Sequence, residues 1–531
     1  MIRWKIEAEN EVSVFTRQGE VKESEEVHIH VPLGPCTVRS VKAEMDVAAD
    51  ENTRIYMNGY QTWTACPEYT VHSKIRGLDH LPKPVLNQYS FDRYGDYHFV
   101  KYPNKEGITH GFSWCTFRDG EKVRMFASLD EKPGYTMFLY NAKEGKLYLE
   151  RDCAGLVCED ELHAFDLLIR EGSENEVYDT WFERMNVHPL TDQKLYGYSS
   201  WYNRYQNIDE ASILQDLSGC SRIFEEGDMF QIDDGWEPFV GDWLTTDSAK
   251  FPNGLKDIVD KIHNSGFKAG LWLAPFAAEE NSQLYKEHPD WFYTVEGKPW
   301  KNGCNWSGFY SLDIDNPEVI AYLEKVFARV FDEWGFDLVK LDFLYAAAPF
   351  GNDKETRAAR MIRTMDLLRL WCKDKQILGC GVPVVPAFGK VEYCRISCDV
   401  SLDWDDKAYM RLMHRERTST KQAIGNIVSR APLNGRAYLS DPDVFFLRKD
   451  NISLTEKEKE DLITLDALAG GVYMTSDDPS SYSDEMIELY KRGRELTNAK
   501  LLEVRADDCV HVRYEEEGEE KTADLFTESS L

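Results

Sequence analysis

Residues 337–343, Asp-Leu-Val-Lys-Leu-Asp-Phe, decide the fold of the central part of this chain. Two leucines and a valine make the stretch apolar, while Lys340 and Asp342 stand two residues apart, so the pattern predicts a short buried strand that ends in a carboxylate. A lysine and an aspartate at the end of a buried strand are costly unless each meets a partner or a substrate. The strand is therefore predicted to lead into a functional site.

Seven further stretches between about residues 194 and 499 resemble this one, and they alternate with amphipathic helical patterns. The eight candidate strands begin near Leu195, Met229, Phe267, Phe336, Gln376, Cys394, Arg436 and Gly471. Eight buried strands alternating with helices predict a parallel (β/α)₈ barrel. The interval after the fifth strand is short for a full helix. The long interval from Pro275 to Tyr310, with Trp291, Trp300 and Trp306, predicts a loop over the carboxyl ends of the strands.

The chain on either side of this pattern reads as β-structure. Residues 1–189 carry short alternating runs broken by Gly, Pro, Asp and Asn, which predict an N-terminal antiparallel β-sandwich closed by one helix. Residues 190–499 form the predicted TIM barrel. Residues 500–531 are too few for a core of their own, and we expect one or two strands packed on the barrel and a loose tail. The predicted fold is thus multi-domain.

Composition excludes several classes of partner. The chain has 531 residues and a net charge of 62 − 93 = −31, which would repel nucleic acid and anionic lipid but not a neutral sugar. No run approaches the roughly 18 apolar residues of a membrane span, and the first residues do not resemble a signal peptide. The 12 cysteines are scattered without zinc-site spacing. We therefore expect a cytoplasmic protein with reduced thiols and no membrane or nucleic-acid partner.

Most of the predicted barrel strands end in carboxylates, and in a barrel these ends converge on one pocket. The acids concerned are Asp233, Asp234, Asp342, Asp399, Asp441, Asp443, Asp477 and Asp478. Any one of them could merely cap a helix. Glycoside hydrolysis, however, needs a carboxylate nucleophile and a carboxylic acid that protonates the leaving oxygen. We expect Lys340 to hold Asp342 ionised, because a nearby cation favours the charged form. Arg395, four residues before Asp399, is equally consistent with a role at the site and with an ordinary ion pair.

The run from Trp201 to Asp406 resembles glycoside hydrolase family 36, in the clan that also contains family 27. The pieces that carry the resemblance are Ser200–Asn203, Gln231–Trp236, Phe251–Leu255, Gly270–Phe276, Lys340–Phe343 and Arg395–Val400, together with an N-terminal aromatic turn, Asn58–Trp63. Each piece alone is weak, but the set in this order is specific. The turn could equally be a hairpin whose aromatic side chains lie in the core.

The resemblance implies a retaining, exo-acting α-galactosidase that needs no metal or cofactor. By matching motif, Asp342 would be the nucleophile and Asp399 the general acid/base. Asp233 and Asp234 would bind the galactose hydroxyls at C4 and C6. The other residues that the resemblance assigns to substrate binding are Trp63, Trp201, Trp236, Trp272, Lys340, Cys380 and Arg395. Trp63 would reach the site of its own subunit or that of a neighbour.

The implied partner is an α-galactoside oligosaccharide or glycoconjugate. Many members of the family are longer and form tetramers, so a homo-oligomer stays open as a partner. Within the clan, an α-N-acetylgalactosaminidase and a raffinose-synthase-like galactosyl transferase remain as alternatives, because they differ in the substituent at C2 or in the acceptor. A non-catalytic sugar-binding protein is the alternative from another class, and the retention of both Asp342 and Asp399 argues against it.

Overall fold

The computed structural model describes residues 1–93 and 95–530. The N-terminal part contains two antiparallel sheets and two helices. Its strands are β1 (Ile2–Glu9), β2 (Val14–Val21), β3 (Glu26–Pro32), β4 (Cys36–Asp46), β5 (Arg54–Met57), β6 (Glu68–Tyr69), β7 (Ile108–Phe112), β8 (Trp114–Asp119), β9 (Lys122–Ser128), β10 (Thr136–Asn141), β11 (Lys146–Arg151), β12 (Val157–Cys158) and β13 (Glu161–Gly172). Its helices are α1 (Lys83–Tyr89) and α2 (Glu174–Met185).

The two N-terminal sheets bury a shared apolar core. One sheet has the order β2-β1-β4-β11-β10-β7, with β12 beside β4, and the other has the order β3-β13-β9-β8-β5-β6. In β3, Val27, Ile29 and Val31 are buried and alternate with exposed side chains, as expected for a sheet with one face on a core. These residues share one core with Ile2 and Ile6 of the opposite sheet. The predicted antiparallel sandwich is confirmed.

The central part is built on parallel strands, with short antiparallel strands in the loop after β16. The strands are β14 (Leu195–Ser199), β15 (Met229–Ile232), β16 (Lys268–Leu273), β17 (Ala277–Glu279), β18 (Thr294–Val295), β19 (Lys298–Pro299), β20 (Lys301–Gly303), β21 (Phe309–Ser311), β22 (Leu338–Leu341), β23 (Gln376–Gly379), β24 (Tyr393–Arg395), β25 (Leu439–Asp441), β26 (Val444–Phe445) and β27 (Val472–Thr475). Each of the eight predicted strands is present, and so is the long loop after the third.

The parallel strands form one curled sheet whose two edges are neighbours in the chain. The order is β25-β24-β23-β22-β16-β15-β14-β27-β26. Only Pro442 and Asp443 separate β25 from β26, so one interrupted strand pairs first with the sixth strand and then with the eighth. Proline cannot donate to a sheet ladder, and Asp443 has a φ of 90°. These two residues interrupt the strand. The sheet closes into a barrel because β25 and β26, its two edges, are parts of this one strand.

Helices cover the barrel: α3 (Trp201–Arg204), α4 (Glu210–Cys220), α5 (Gly254–Asn264), α6 (Gln283–Glu287), α7 (Pro317–Ala328), α8 (Arg357–Cys372), α9 (Thr420–Arg430), α10 (Glu456–Ala469) and α11 (Asp484–Leu496). Helix α7 begins with Pro317 at its first position, and the side chain of the preceding Asn316 accepts the Glu318 N–H. Between β23 and β24 only a 3₁₀ turn, Val385–Ala387, is present, as the short interval predicted.

The last described residues form a small antiparallel sheet of β28 (Lys500–Ala506), β29 (Val510–Glu516) and β30 (Glu519–Leu525). This corrects the expectation of one or two strands, because the Glu-rich end continues the hairpin with a third strand. Phe526 packs against Trp404, with ring centroids 5.7 Å apart. The proposed domain boundaries fall in the segments between α2 and β14 and between α11 and β28. None of the helices within residues 1–93 and 95–530 has the length and apolar character to cross a bilayer.

Candidate active site

A cavity of about 410 Å³ opens where the carboxyl ends of the barrel strands converge. Its lining residues are Trp63, Trp201, Gln206, Asp233, Asp234, Trp272, Asn305, Trp306, Lys340, Asp342, Phe343, Tyr345, Cys398, Asp399, Met410, Glu416, Arg417 and Thr418. Eight of the eleven side chains expected at the site line it. A larger cavity of about 540 Å³ borders α9 and β28 and shares Arg417 with the first, but it contains no pair of strand-end carboxylates.

Asp342 follows the last residue of β22 and is 8% exposed. Its Oδ2 accepts a hydrogen bond from Trp272 Nε1 at 3.1 Å, and its Oδ1 accepts the Phe343 backbone N–H at 2.9 Å. Phe343 has a φ of 52°, so the chain turns sharply after the strand and leaves the carboxylate at the cavity wall. A fixed, buried carboxylate suits attack on a carbon atom better than proton exchange with water.

The direction of the Asp342 pKa shift differs from the expectation. Burial raises the pKa of Asp342, and the Asp399 charge raises it further, whereas Lys340 lowers it; the net shift is upward from the ordinary value. Lys340 Nζ donates to Asp233 Oδ2 at 2.9 Å. The nearby cation thus opposes the effect of burial without overcoming it, because its direct hydrogen bond goes to another acid.

Asp399 lies in a different environment. Its side chain is 38% exposed, and Arg395 Nη1 donates to its Oδ1 at 2.7 Å. The same guanidinium donates to Asp441 Oδ2 at 3.2 Å and to Asp443 Oδ1 at 2.8 Å. One cation therefore holds three carboxylates, and only Asp399 of the three lines the cavity. An acid that is fixed at one oxygen and open to solvent can exchange a proton with a leaving group or a water.

Asp443, at the interruption between β25 and β26, completes this network. Its Oδ2 accepts from Tyr202 Oη at 2.6 Å and from the Val400 backbone N–H at 2.9 Å. Burial raises the pKa of Asp443 to about 7, although Arg395 opposes the shift. Val400 follows Asp399 directly, so Asp443 helps to fix the position of the cavity carboxylate.

The two adjacent acids after β15 have different partners. Asp233 is 1% exposed and accepts hydrogen bonds from Lys340 and from Gln231 Nε2, both at 2.9 Å. Burial alone would lower the pKa of Lys340, but the Asp233 carboxylate together with Asp342 and Cys380 raises this pKa above its ordinary value. Asp233 and Lys340 thus form a buried ion pair at the floor of the cavity.

Asp234 points toward the long loop after β16. Its Oδ2 accepts from Trp306 Nε1 and from Gln206 Nε2, each at 2.9 Å. Burial and the Asp234 charge raise the pKa of Glu237 well above its ordinary value. This shift favours the neutral form of the Glu237 carboxyl group, which lies beside Asp234.

Trp63 brings the N-terminal aromatic turn into the cavity of its own chain. Its Nε1 lies 3.3 Å from Cys380 Sγ, and its ring packs edge-on against Phe343 with centroids 4.9 Å apart. Burial and the Asp342 charge raise the pKa of Cys380 well above its ordinary value, so the group remains a neutral thiol next to the nucleophile candidate.

Two buried charged residues of the barrel attach this turn. Arg430, 1% exposed, donates to the backbone carbonyls of Thr62 at 2.6 Å and Ile396 at 2.9 Å. Glu416 accepts from Thr64 Oγ1 at 2.6 Å. Because both residues belong to the same chain as the turn, Trp63 is held against its own barrel and needs no second subunit to reach the cavity.

Three residues that the resemblance assigns to the substrate lie behind the cavity wall. Trp236 is fully buried and donates from Nε1 to the Trp272 carbonyl at 3.0 Å. Cys380 and Arg395 are 1% and 2% exposed and contact the sugar-facing candidates Asp342 and Asp399. Direct contacts of these three with a substrate stay predictions.

Sequence reasoning did not single out Gln206, Glu237, Glu416 or Arg417. Trp306 was noted only as one of three tryptophans in the long loop. Glu237 follows the Gln231–Trp236 motif at once, which is a signal in the sequence. Glu416 and Arg417 lie in an irregular loop where no periodicity points to the cavity.

Part of the chain is similar in sequence to proteins of known family. Residues 199–365 match the family model described as Melibiase. An α-galactosidase of Escherichia coli is 28% identical over 201 residues, which cover 35% of this chain and 28% of that protein. The alignments with the first three curated relatives cover 20–28% of the length of those proteins.

Solved structures extend the likeness over nearly the whole chain. An α-galactosidase from Thermus thermophilus, in complex with p-nitrophenyl α-D-galactopyranoside, has a TM-score of 0.73 at 25% identity and covers 94% of this chain and 99% of its own. A family 36 α-galactosidase from Geobacillus stearothermophilus, 14% identical, shares the fold with a TM-score of 0.57 over 92% of this chain and 75% of its own. The expected resemblance is confirmed: residues 199–365 match the Melibiase model, the chain is similar to α-galactosidases in sequence, and it shares its fold with an α-galactosidase of glycoside hydrolase family 36.

Proposed function

We propose that this protein is a retaining, exo-acting α-galactosidase that removes terminal α-linked galactose by double displacement. The observation that carries the proposal is the unequal pair of carboxylates in one cavity. Asp342 is buried and fixed by an indole N–H, whereas Asp399 is partly exposed. A nucleophile and an acid/base need these two different environments. The related α-galactosidases support galactose as the sugar.

In the first step, a carboxylate oxygen of Asp342 attacks the anomeric carbon. The bond from that carbon to the glycosidic oxygen breaks, and Asp399 gives its proton to the departing oxygen. The product is a β-linked galactosyl ester of Asp342. The Trp272 N–H donates to Oδ2 of this carboxyl group, so it helps to set the orientation of the attacking group.

In the second step, Asp399, now ionised, takes a proton from water as the water oxygen attacks the same carbon. The ester bond breaks, the bonding electrons return to Asp342, and α-galactose leaves. Two inversions give overall retention, for which we expect a separation of about 5–5.5 Å between the two carboxyl groups.

The rest of the cavity suits one terminal sugar. Asp233, Asp234 and Lys340 offer acceptors and a donor at its floor, and Trp63, Trp201 and Trp306 provide aromatic faces at its wall. Aromatic rings bind the apolar face of a sugar, while charged groups bind its hydroxyls. The proposed substrate is therefore an α-galactoside oligosaccharide or glycoconjugate.

A panel of nitrophenyl α-glycosides tests the sugar, and NMR of the first-formed anomer tests retention. We expect hydrolysis of the α-galactoside with release of the α-anomer. The N-acetyl analogue, in parallel, tests the galactosaminidase alternative, and product analysis with sucrose present tests the transferase. Release of the β-anomer would exclude double displacement.

Two variants separate the carboxylate roles. Asp342→Asn should abolish turnover of every substrate. Asp399→Ala should retain more activity toward a nitrophenyl galactoside than toward raffinose, because nitrophenolate leaves without protonation. Asp332→Asn, an exposed aspartate outside the cavity that pairs with Lys373, is the matched control and should leave both rates unchanged. An active Asp342→Asn enzyme would refute the assignment.

A further inference from the structure

A cluster of imidazole and carboxylate groups lies on the outer face of the N-terminal sandwich, outside the candidate active site. Three of the chain's 12 histidines belong to it. His28 and His30 stand two residues apart on β3 and therefore project from the same face. Across the ladder, His30 pairs with His163 and His28 pairs with Asp166 of β13. Directly opposed side chains are about 5 Å apart, so these four side chains form a compact group.

A β-bulge in β13 makes this arrangement possible. His163 and Asp166 are three residues apart, and in a regular strand they would face opposite sides of the sheet. The register of β13 against β3 shifts between His163 and Phe165, and both Ala164 and Phe165 are fully buried. One extra residue therefore returns Asp166 to the outer face, beside the histidines.

The ligand atoms are already close together. Asp166 Oδ1 lies 2.6 Å from His28 Nδ1 and 2.8 Å from His30 Nε2. One potential metal-ligand atom from each of His28, His30 and Asp166 lies within 4.8 Å of the other two. In a tetrahedral zinc site with bonds of about 2.0–2.1 Å, ligand atoms are about 3.3 Å apart. Movements of about 0.7 Å by the His28 ring and about 0.5 Å by the His30 ring would bring both contacts to Asp166 to this spacing.

We propose that His28, His30 and Asp166 bind a Zn²⁺ ion, with water in the fourth position. Neutral imidazole nitrogens and a carboxylate oxygen are ligands that Zn²⁺ prefers, whereas Ca²⁺ and Mg²⁺ prefer oxygen alone. Only N–H···O contacts join these groups in the free protein. The ion would take the lone pairs of both ring nitrogens, and each ring would carry its proton on its other nitrogen.

The surroundings of the three ligands favour this state. Glu26 Oε2 lies 3.7 Å from His28 Nε2, and a shift of about 0.7 Å would let it accept the proton of that nitrogen, as the outer partner of a metal-bound imidazole usually does. The His30 ring stacks on His163, with centroids 4.0 Å apart and planes 15° from parallel, which restricts its rotation. Asp166 has an 11% exposed side chain, so it is a well-fixed ligand.

The position of the cluster gives the ion a structural role. β3 is the edge strand of its sheet and has β13 as its neighbour. A metal held by both strands would join the edge to the sheet and resist fraying, since any ion that binds only the folded state stabilises it. A separate group, Asp508, Cys509 and His511, has one residue on β29 and two in the loop before it, and it serves as the internal comparison.

Untagged protein stripped with EDTA and titrated with Zn²⁺ by calorimetry tests the proposal. We expect one site with a dissociation constant below about 10 μM, a visible absorption band typical of tetrahedral Co²⁺ on substitution, and no comparable binding of Ca²⁺. His30→Ala and Asp166→Asn should each weaken Zn²⁺ binding by at least about 10-fold. Zn²⁺ should also raise the thermal midpoint of the parent protein and not of these variants.

Two controls keep the test decisive. His72→Ala removes an exposed histidine that pairs with Glu106 and should leave the affinity unchanged, as should Cys509→Ser. Circular dichroism without metal checks that every variant is folded. Absence of saturable Zn²⁺ binding, unchanged affinity in folded His30→Ala, or loss of the site in Cys509→Ser would overturn the assignment.

Discussion

Replacing Glu416 by glutamine should stabilise the protein at alkaline pH and hardly affect it at acidic pH. Glu416 is 4% exposed at the junction of the barrel and the Trp63 turn. Its Oε1 accepts from Thr64 Oγ1 at 2.6 Å and from the Asp96 N–H at 3.2 Å, and its Oε2 accepts from Gln61 Nε2 at 3.1 Å. An amide oxygen can keep the first two contacts. Gln61 Oε1 is buried without a hydrogen-bond partner. Rotation of the Gln61 amide by 180° would let this oxygen accept a hydrogen bond from the new NH₂ group at position 416.

The magnitude follows from the charge state. Burial and the Asp96 charge raise the pKa of Glu416 from 4.5 to about 7. The native state therefore binds the proton more tightly than the unfolded state, and stability falls as pH rises from about 4.5 to about 7. Each pKa unit corresponds to about 1.36 kcal/mol, so the loss above this window is about 3 kcal/mol. Glu416→Gln lacks this titration and should avoid the loss.

Thermal unfolding of the parent and Glu416→Gln proteins between pH 5 and pH 8.5 measures the effect. At about 2.1 cal/mol/K per residue, the entropy of a 531-residue unfolding unit makes 3 kcal/mol a difference of about 3 °C. The midpoints should differ by less than about 1 °C at pH 5 and diverge to about 3 °C by pH 8. Glu488→Gln, on the exposed side of α11, is the control. A difference that does not depend on pH, or a variant less stable at pH 8, would refute the reasoning.

Three further outcomes are expected. Trp272→Phe removes a hydrogen bond to the charged form of Asp342, so kcat/KM should fall by roughly 10- to 150-fold; because the pKa of Asp342 is already raised and would rise further, the acid limb of the pH–rate profile should move to higher pH. Arg430→Met leaves carbonyls of the aromatic turn without donors, which should lower the thermal midpoint and raise KM as Trp63 loosens; an unchanged KM would contradict this role. Lys340→Met leaves a buried carboxylate unpaired, and urea unfolding should show a loss of about 3–5 kcal/mol.

The sequence was sufficient for the barrel and for the relative positions of its acids. Asp233, Asp342 and Asp399 each follow a buried apolar run, and strand periodicity with parallel pairing brings such ends together. That argument needs only local patterns and one topological rule. It also explains why Trp236 was misleading as a candidate lining residue: it belongs to the same motif as Asp233, but its side chain is buried in the core.

The charge states and the loop contacts could not be read from the sequence. The pKa of Asp342 depends on how far burial exceeds the influence of Lys340, and that balance is set by three-dimensional packing. Glu416 reaches the cavity through an irregular loop, for which no periodic rule exists. The third C-terminal strand was missed because its run of glutamates reads as a solvated tail, although every residue of that strand pairs with β29.

The interrupted strand at Pro442 and Asp443 has a consequence for how the barrel opens. Closure there rests on three residues of β25 and two of β26, whereas a continuous strand would offer both neighbours an unbroken ladder. Within the barrel sheet, amide hydrogen exchange should be fastest in β25 and β26, where the barrel closes. Because Asp443 also accepts a hydrogen bond from Arg395, local opening of the barrel here would also disturb the position of Asp399. Hydrogen exchange at residues 441–445 would then report on the alignment of the proposed acid/base.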